Sequence, residues 1–273
     1  MKFCISYKRN KNFKYMNEID EIEYQYHHTD LGIFDFLKSI EGQKRIILRV
    51  AEMLDEAEVQ RIVTFKEGFP NLEFAVSLPE YKNEHSKEIF KWCAAAGIPA
   101  FFHTLVSDWT MLDAMKNMGV SDIYLVEDIC FELDKAAKVL HEAGIKIRVF
   151  PNVCQSSVST TDTPALKTFF IRPEDVVIYA PYVDVMEFFG RDDQIKTYYE
   201  IYAKNKRWLG DLNEMIIDFN DSVDSRGLSH IFAQQRIKCG KKCMKGSSCN
   251  LCQRFADLSE IMLEKGLVFG KEQ

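Results

Sequence analysis

The chain has 273 residues, 47% of them hydrophobic and 28% charged, with a net charge of −6. That length supports one large domain or two small ones, and burial of roughly three quarters of the unfolded surface makes a core without staples. The negative balance argues against general nucleic-acid affinity. No apolar run approaches the roughly twenty residues of a membrane span, and the first residues, M-K-F-C-I-S-Y-K, carry no apolar core of signal-peptide length. The expected setting is the cytoplasm, where thiols stay reduced.

In chain order, eight β-rich runs stand out: Lys2–Lys8, Glu21–His27, Arg45–Val50, Leu72–Leu78, Ala100–Leu105, Asp122–Val126, Lys146–Pro151 and Val185–Phe189. A further short run covers 167–171. Between them, Asp30–Ile40, Glu52–Glu67, Ser86–Ala96, Trp109–Met118 and Phe131–Ala143 repeat apolar residues at helical spacing. Gly42, Gly68, Gly97, Gly119 and Gly144 follow these segments as stop signals. The first crossover, 9–20, is short for a full helix. Beyond the last run, Asp192–Asn205 and Cys252–Lys265 are further helix candidates.

Strand–helix alternation implies parallel strands with right-handed crossovers. Eight strands in this rhythm predict a (β/α)8 TIM-like barrel over 1–205, with a cysteine-rich extension over 206–273 packed on it. An open doubly wound sheet is the rival, but neither a G-x-G-x-x-G turn nor a P-loop occurs.

Barrel chemistry projects from the C-terminal strand ends. That rule selects His103, Glu127, Asn152, Arg172 and Glu187 as candidate catalytic groups, and Arg49, Gln155 and Arg191 as candidate substrate-binding groups. Each has a plainer reading. His27 and His28 point to opposite faces of a continuing strand, and Asp128 fits a helix cap. Arg49 in R-I-I-L-R-V and Glu187 in V-M-E-F-F are charges in apolar strands, where an internal ion pair competes with anion binding or acid–base work. Cys4, Cys93 and Cys130 read as small buried apolar residues, and Cys154 sits where a loop begins. No serine or cysteine nucleophile stands beside a base in the sequence, and no hydrolytic zinc motif occurs.

The segment K-C-G-K-K-C-M-K-G-S-S-C-N-L-C places Cys239, Cys243, Cys249 and Cys252 within fifteen residues, among Lys238, Lys241, Lys242 and Lys245. The compartment argues against disulfides. Structural zinc favours two C-x-x-C knuckles held well apart, and only Cys249–Cys252 has that spacing. The compressed set is closer to iron–sulfur ligation. The lysines offset the negative charge of either centre and do not choose between them.

The run F-F-I-R-P-E-D-V-V-I-Y-A-P-Y-V-D-V-M-E-F-F-G-R, with the preceding G-I-K-I-R-V-F-P-N-V-C-Q-S-S, resembles peptidase family U-thirty-two over about Met118 to Cys252. The resemblance implies a TIM-like barrel and a four-iron four-sulfur (4Fe-4S) cluster on cysteines. Members are named as collagenase-like peptidases, and relatives as oxygen-independent hydroxylation factors acting on RNA bases or quinone precursors. It carries over to Arg172, Pro173, Glu174, Gly190 and Arg191 as motif positions and to the four cysteines as ligands. The tight cysteine spacing departs from the family. The expectation is a redox or hydroxylation-type enzyme, or an accessory to one, with a redox partner and an RNA or small-molecule substrate at the barrel mouth. The alternatives are a peptidase and a non-catalytic scaffold held by zinc.

Overall fold

A computed structural model describes residues 1–7, 15–27, 29–30, 32–40, 42–50, 54–153, 166, 168–219, 223–240 and 249–265, with the backbone alone at 127, 128, 192, 262 and 263. Among them, nine parallel strands form one sheet: β1 (Lys2–Tyr7), β2 (Glu21–Tyr26), β3 (Lys44–Val50), β4 (Leu72–Leu78), β5 (Ala100–Phe102), β6 (Leu105–Val106), β7 (Asp122–Leu125), β8 (Lys146–Val149) and β9 (Val185–Phe188). β1 pairs with both β2 and β9. β5 and β6 are two halves of one stave: β5 pairs with β4, and β6 with β7. Ser121 N–H donates to the Ala100 carbonyl at 3.0 Å, and Val126 N–H to that of Val106 at 3.0 Å, so both halves are tied to the next stave. The sheet is thus a TIM-like barrel of eight staves, at the eight runs the sequence predicts.

Two differences matter. The run from Ala100 to Leu105 is not continuous. The stave breaks at His103-Thr104, where Thr104 Oγ1 accepts the Tyr81 N–H at 3.1 Å. The run 167–171 adds no strand among its described residues; Ile171 N–H simply donates to the Pro151 carbonyl at 3.0 Å.

The helices on the outside are α1 (Ile33–Ser39), α2 (Glu56–Gly68), α3 (Glu84–Ala95), α4 (Trp109–Met118), α5 (Glu127–Cys130), α6 (Leu133–Glu142), α7 (Val176–Tyr179) and α8 (Asp192–Ala203). Local chemistry sets their bounds. Asp55, Asn83 and Asp108 accept the first orphan N–H groups of α2, α3 and α4. Gly97, Gly119 and Gly144 end α3, α4 and α6 at positive φ, whereas Gly68 remains inside α2. Glu127 opens a helical turn instead of ending a strand. Alternate strand residues such as Ile46, Leu48, Val76, Leu78, Ile123 and Ile147 bury under these helices. That packing is the main apolar core.

The extension carries α9 (His230–Arg236) and α10 (Leu251–Glu264). Phe232 and Phe255 join them with ring centroids 5.0 Å apart. Arg236 is buried among Phe131, Phe170 and Phe232 and donates to the Phe170 and Thr168 carbonyls, fastening α9 to the barrel. Gly227 lets α10 sit close: a Cβ there would run into Ser259 Oγ and stand 2.6 Å from the Ser259 Cα. The second clash is with backbone, so the helix must move. Gly227→Ala is therefore expected to destabilise the protein by about 1–3 kcal/mol, as overpacking does, and to expose the extension to protease. The control Gly68→Ala adds its Cβ in open space at a helical position, and thermal melts should show it unharmed or slightly stabilised. Equal melting curves for the two variants would count against this docking. No described helix is long and apolar enough to cross a membrane.

Candidate active site

The barrel interior is charged. Strand alternation puts one set of side chains inside, and in E-I-E-Y-Q-Y the inward set is Glu21, Glu23 and Gln25. Contacts across the interior establish the direction. Arg45 of β3 holds Asp122 of β7 through two hydrogen bonds of 2.6 Å. Arg148 of β8 reaches Glu21 of β2 at 2.6 Å, Asp122 at 3.2 Å and Glu187 of β9 at 3.3 Å. Arg148 also lies against the Phe101 and Tyr124 rings. The Tyr124 hydroxyl donates to Glu187 Oε2 at 2.6 Å. The two arginines beside it hold the Asp122 carboxyl well below the usual carboxylate range, although burial opposes them.

Arg148 Nε has no hydrogen-bond partner among the described residues, and more such atoms lie toward the C-terminal strand ends. Arg49 Nη1 donates to Glu23 Oε1 at 3.2 Å. Glu23 Oε2, His103 Nδ1 and Ser77 Oγ are buried and have no hydrogen-bond partner among the described residues. Glu23 Oε2 and His103 Nδ1 are 4.0 Å apart. Burial, then the charge of Glu187, raises Glu23 to about 7 despite Arg49. Burial, then Arg49, lowers His103 to about 4, so its imidazole is neutral at pH 7.

Arg49 and His103 line a cleft, and Glu23 is buried directly behind them. A cavity of about 450 Å³ is lined by Ser6, Gln25, Arg49, Leu78, Glu80 and His103 among others. An inner recess of about 70 Å³ is lined by Ser6, Arg49, His103, Glu187, Phe150 and Phe189 among others. A side chamber of about 270 Å³ adds Tyr81, Lys82, Thr104, Leu105 and Met111. The main cavity falls within the ~300–1,000 Å³ of small-molecule sites. It opens at the strand ends where barrel enzymes keep their chemistry.

Of the residues singled out from the sequence, His103, Arg49 and Glu187 come together around the inner recess. Asn152 is buried and exchanges hydrogen bonds with the Phe189 backbone at 2.7 and 3.1 Å, a stitch between the ends of β8 and β9. Arg172 is buried away from the cleft. It clamps Asp175 and donates to the Ser225, Leu228 and Ser229 carbonyls, which anchors the extension. Arg191 is 78% exposed, 3.6 Å from Asp193. His27 is exposed and bonds Thr29. Gln155, Cys154, His28 and the Glu127 and Asp128 side chains lie outside the described residues. Ser6 and Gln25 complete the cleft, with Glu23 and Tyr124 buried behind it, and none of the four was singled out. The signal that finds Glu23 is the strict alternation of E-I-E-Y-Q-Y.

For the cysteines, Cys239 and Cys249 are half-buried and Cys252 is buried. Cys243 lies outside the described residues. Among those described, no three His, Cys, Asp or Glu side chains group closely enough to hold a metal ion. Cys239, Cys249 and Cys252 therefore do not make a ligand set by themselves.

No protein-family model matches the chain, and no curated protein matches it. Among solved structures it is similar to the tryptophan synthase α-subunit of Campylobacter jejuni, at 16% identity over 79% of this chain and 96% of that one, with a TM-score of 0.46. It is also similar to a mutant of the α-subunit from the hyperthermophile Pyrococcus furiosus, at 14% identity, 78% and 96% coverage and a TM-score of 0.45. The carboxyl transferase domain of Rhizobium etli pyruvate carboxylase is similar at 13% identity, over 92% of this chain and 55% of that one, with a TM-score of 0.34. These are likenesses of barrel architecture and extend to no activity.

Proposed function

We propose that the barrel mouth is an acid–base active site that moves a proton beside a carbonyl of a small anionic substrate. The observation that carries this reading is the pair Glu23 Oε2 and His103 Nδ1: buried, 4.0 Å apart and without a hydrogen bond among the described residues, directly behind the cleft that His103 and Arg49 line. Arg49 fixes one oxygen of Glu23, which leaves the other to take a proton. A carboxyl near pH 7 is matched to proton transfer at neutrality. A neutral imidazole donates a hydrogen bond to a developing enolate oxygen without giving up a full proton. Arg49 is 39% exposed, and its remaining donors suit a carboxylate or phosphate. In the forward step the carbon-bound proton passes to the Glu23 carboxylate and the electron pair moves onto the carbonyl oxygen. The return step reverses both.

Exchange of the pyruvate methyl protons in deuterated water, followed by proton NMR, tests this. The protein should accelerate exchange, and Glu23→Gln should remove the acceleration. Exchange at the same rate with either protein would defeat the reading.

The thiolate-bound metal is a second, separable proposal. Its support is that α9 and α10, which flank the segment 241–248, pack together through Phe232 and Phe255, with Cys239 just after one and Cys249 and Cys252 at the start of the other. A 4Fe-4S centre, or zinc, would need Cys243 as well. Protein purified without oxygen should then be brown and contain iron and sulfide. Cys252→Ala should lose the metal, and Cys93→Ala should keep it. Colourless protein with one zinc would replace the iron, and metal-free protein would end the proposal. The redox partner and the RNA substrate stand or fall with the iron.

A further inference from the structure

We infer that the substrate of this cleft has two parts: an anionic head at Arg49, and a neutral apolar tail, the size of one aromatic ring, in the side chamber. The inference rests on the acid–base reading for the head and on separate residues for the tail.

The chamber exists because the fifth stave is broken. The chain makes its last bond to β4 at His103, whose N–H donates to the Leu78 carbonyl at 2.7 Å, and rejoins the sheet on β7 at Leu105. Thr104 Oγ1 binds the Tyr81 N–H, so the loop after β4 is pinned beside the gap. His103 lies at the break and lines the main cavity, the inner recess and the side chamber alike. A molecule reacting at His103 therefore has a second direction in which to extend.

The lining says what that extension is. Leu105 is 44% exposed, one of the large apolar side chains the fold leaves uncovered. Met111 and Tyr81 are half-buried beside it. The Tyr81 ring is held edge-on to Phe102 at 6.3 Å. A thioether and an aromatic ring are favourable neighbours for an aromatic ligand. Glu80 and Lys82 also line the chamber and bring opposite charges, so it favours a neutral group over a second anion. Its volume of about 270 Å³ exceeds the roughly 150 Å³ that admits benzene. The inner recess of about 70 Å³ is too small for a ring.

Calorimetric titration with pyruvate and with phenylpyruvate separates the two parts. The ring should tighten binding about tenfold, which is about 1.4 kcal/mol. Leu105→Asn, at a half-exposed position that folding tolerates, should bring that ratio to about two or less. Arg49→Met should weaken both acids alike. Equal affinity for the two acids, with pyruvate still dependent on Arg49, overturns the tail and leaves the head. A tenfold preference that survives Leu105→Asn overturns the chamber assignment. No binding of either acid to folded protein overturns the head, and the acid–base reading with it.

Discussion

Arg148→Met should cost about 3–5 kcal/mol of stability, because it leaves buried carboxylates without their cation. The residue is fully buried, and its guanidinium bonds Glu21, Asp122 and Glu187 together. Arg45 remains for Asp122 and, at 3.4 Å, for Glu21, but among the described residues Glu187 keeps only the hydrogen bond from the Tyr124 hydroxyl. For a chain of this size the loss corresponds to a melting temperature lower by on the order of 10 °C. The deficit should shrink as the pH falls, since the stranded carboxylates can then take up protons. Adding Glu187→Gln should recover part of it by removing one stranded charge. A single variant melting within about 2 °C of the parent, well short of that drop, would show that the interior charges are not held by this arginine.

Glu23→Gln should have the opposite profile: a large loss of proton exchange with the fold intact. Removing the acid–base group is expected to cost roughly 10²–10⁴-fold in rate. Stability should hold or rise at neutral pH, because a buried carboxyl with one unsatisfied oxygen becomes a neutral amide. The sign of the pH effect follows from the raised value of about 7. The folded state binds a proton on Glu23 that the unfolded chain releases near its ordinary pKa of 4.5. Its stabilising contribution is therefore full below that value and is lost as the pH rises through about 7. Asp122, held low by Arg45, behaves oppositely: its contribution is present above the ordinary carboxylate range and is lost in acid. Carbon-detected NMR of the Glu23 carboxyl should show a midpoint near 7. Glu187→Gln should lower that midpoint, because the Glu187 charge is the second cause of the shift after burial. A midpoint near 4.5 in the parent would remove Glu23 from the role.

Much of the fold was legible in the sequence, because each barrel unit repeats local signals. Apolar periodicity, Asp or Asn caps and closing glycines mark the helices without any knowledge of the partner strands. The break at His103-Thr104 was not legible. A-F-F-H-T-L reads as one strand, and it divides because its first half pairs with β4 and its second with β7, a tertiary choice. The site was half legible. Looking only at strand ends found Arg49 and His103 but passed over Glu23, which sits three residues before the end of β2 and touches both of them from behind. Arg172 stood out as a charge in a recognisable run, but residues far along the chain determine its role: its donors go to carbonyls 53 to 57 positions later. The cysteine segment conveys ligand chemistry by composition alone, and composition does not place sulfurs.

The pairing of the interior charges bears on how the chain reaches its native state. Arg45 and Asp122 are 77 positions apart, and Arg148 and Glu21 are 127. Within the first four staves Glu21 and Glu23 are balanced by Arg45 and Arg49, yet the shortest bonds of Glu21 and Arg45 run to the other half. A half-barrel emerging first in synthesis would hold these groups hydrated, without their closest partners Asp122 and Arg148. Water must leave the lumen only when both halves meet, so closure is a late, concerted event dominated by non-local contacts, the kind that makes folding slow. The tightest ion pairs of the lumen thus bridge the two halves, which favours one all-or-none unit over a pair of independently folding modules.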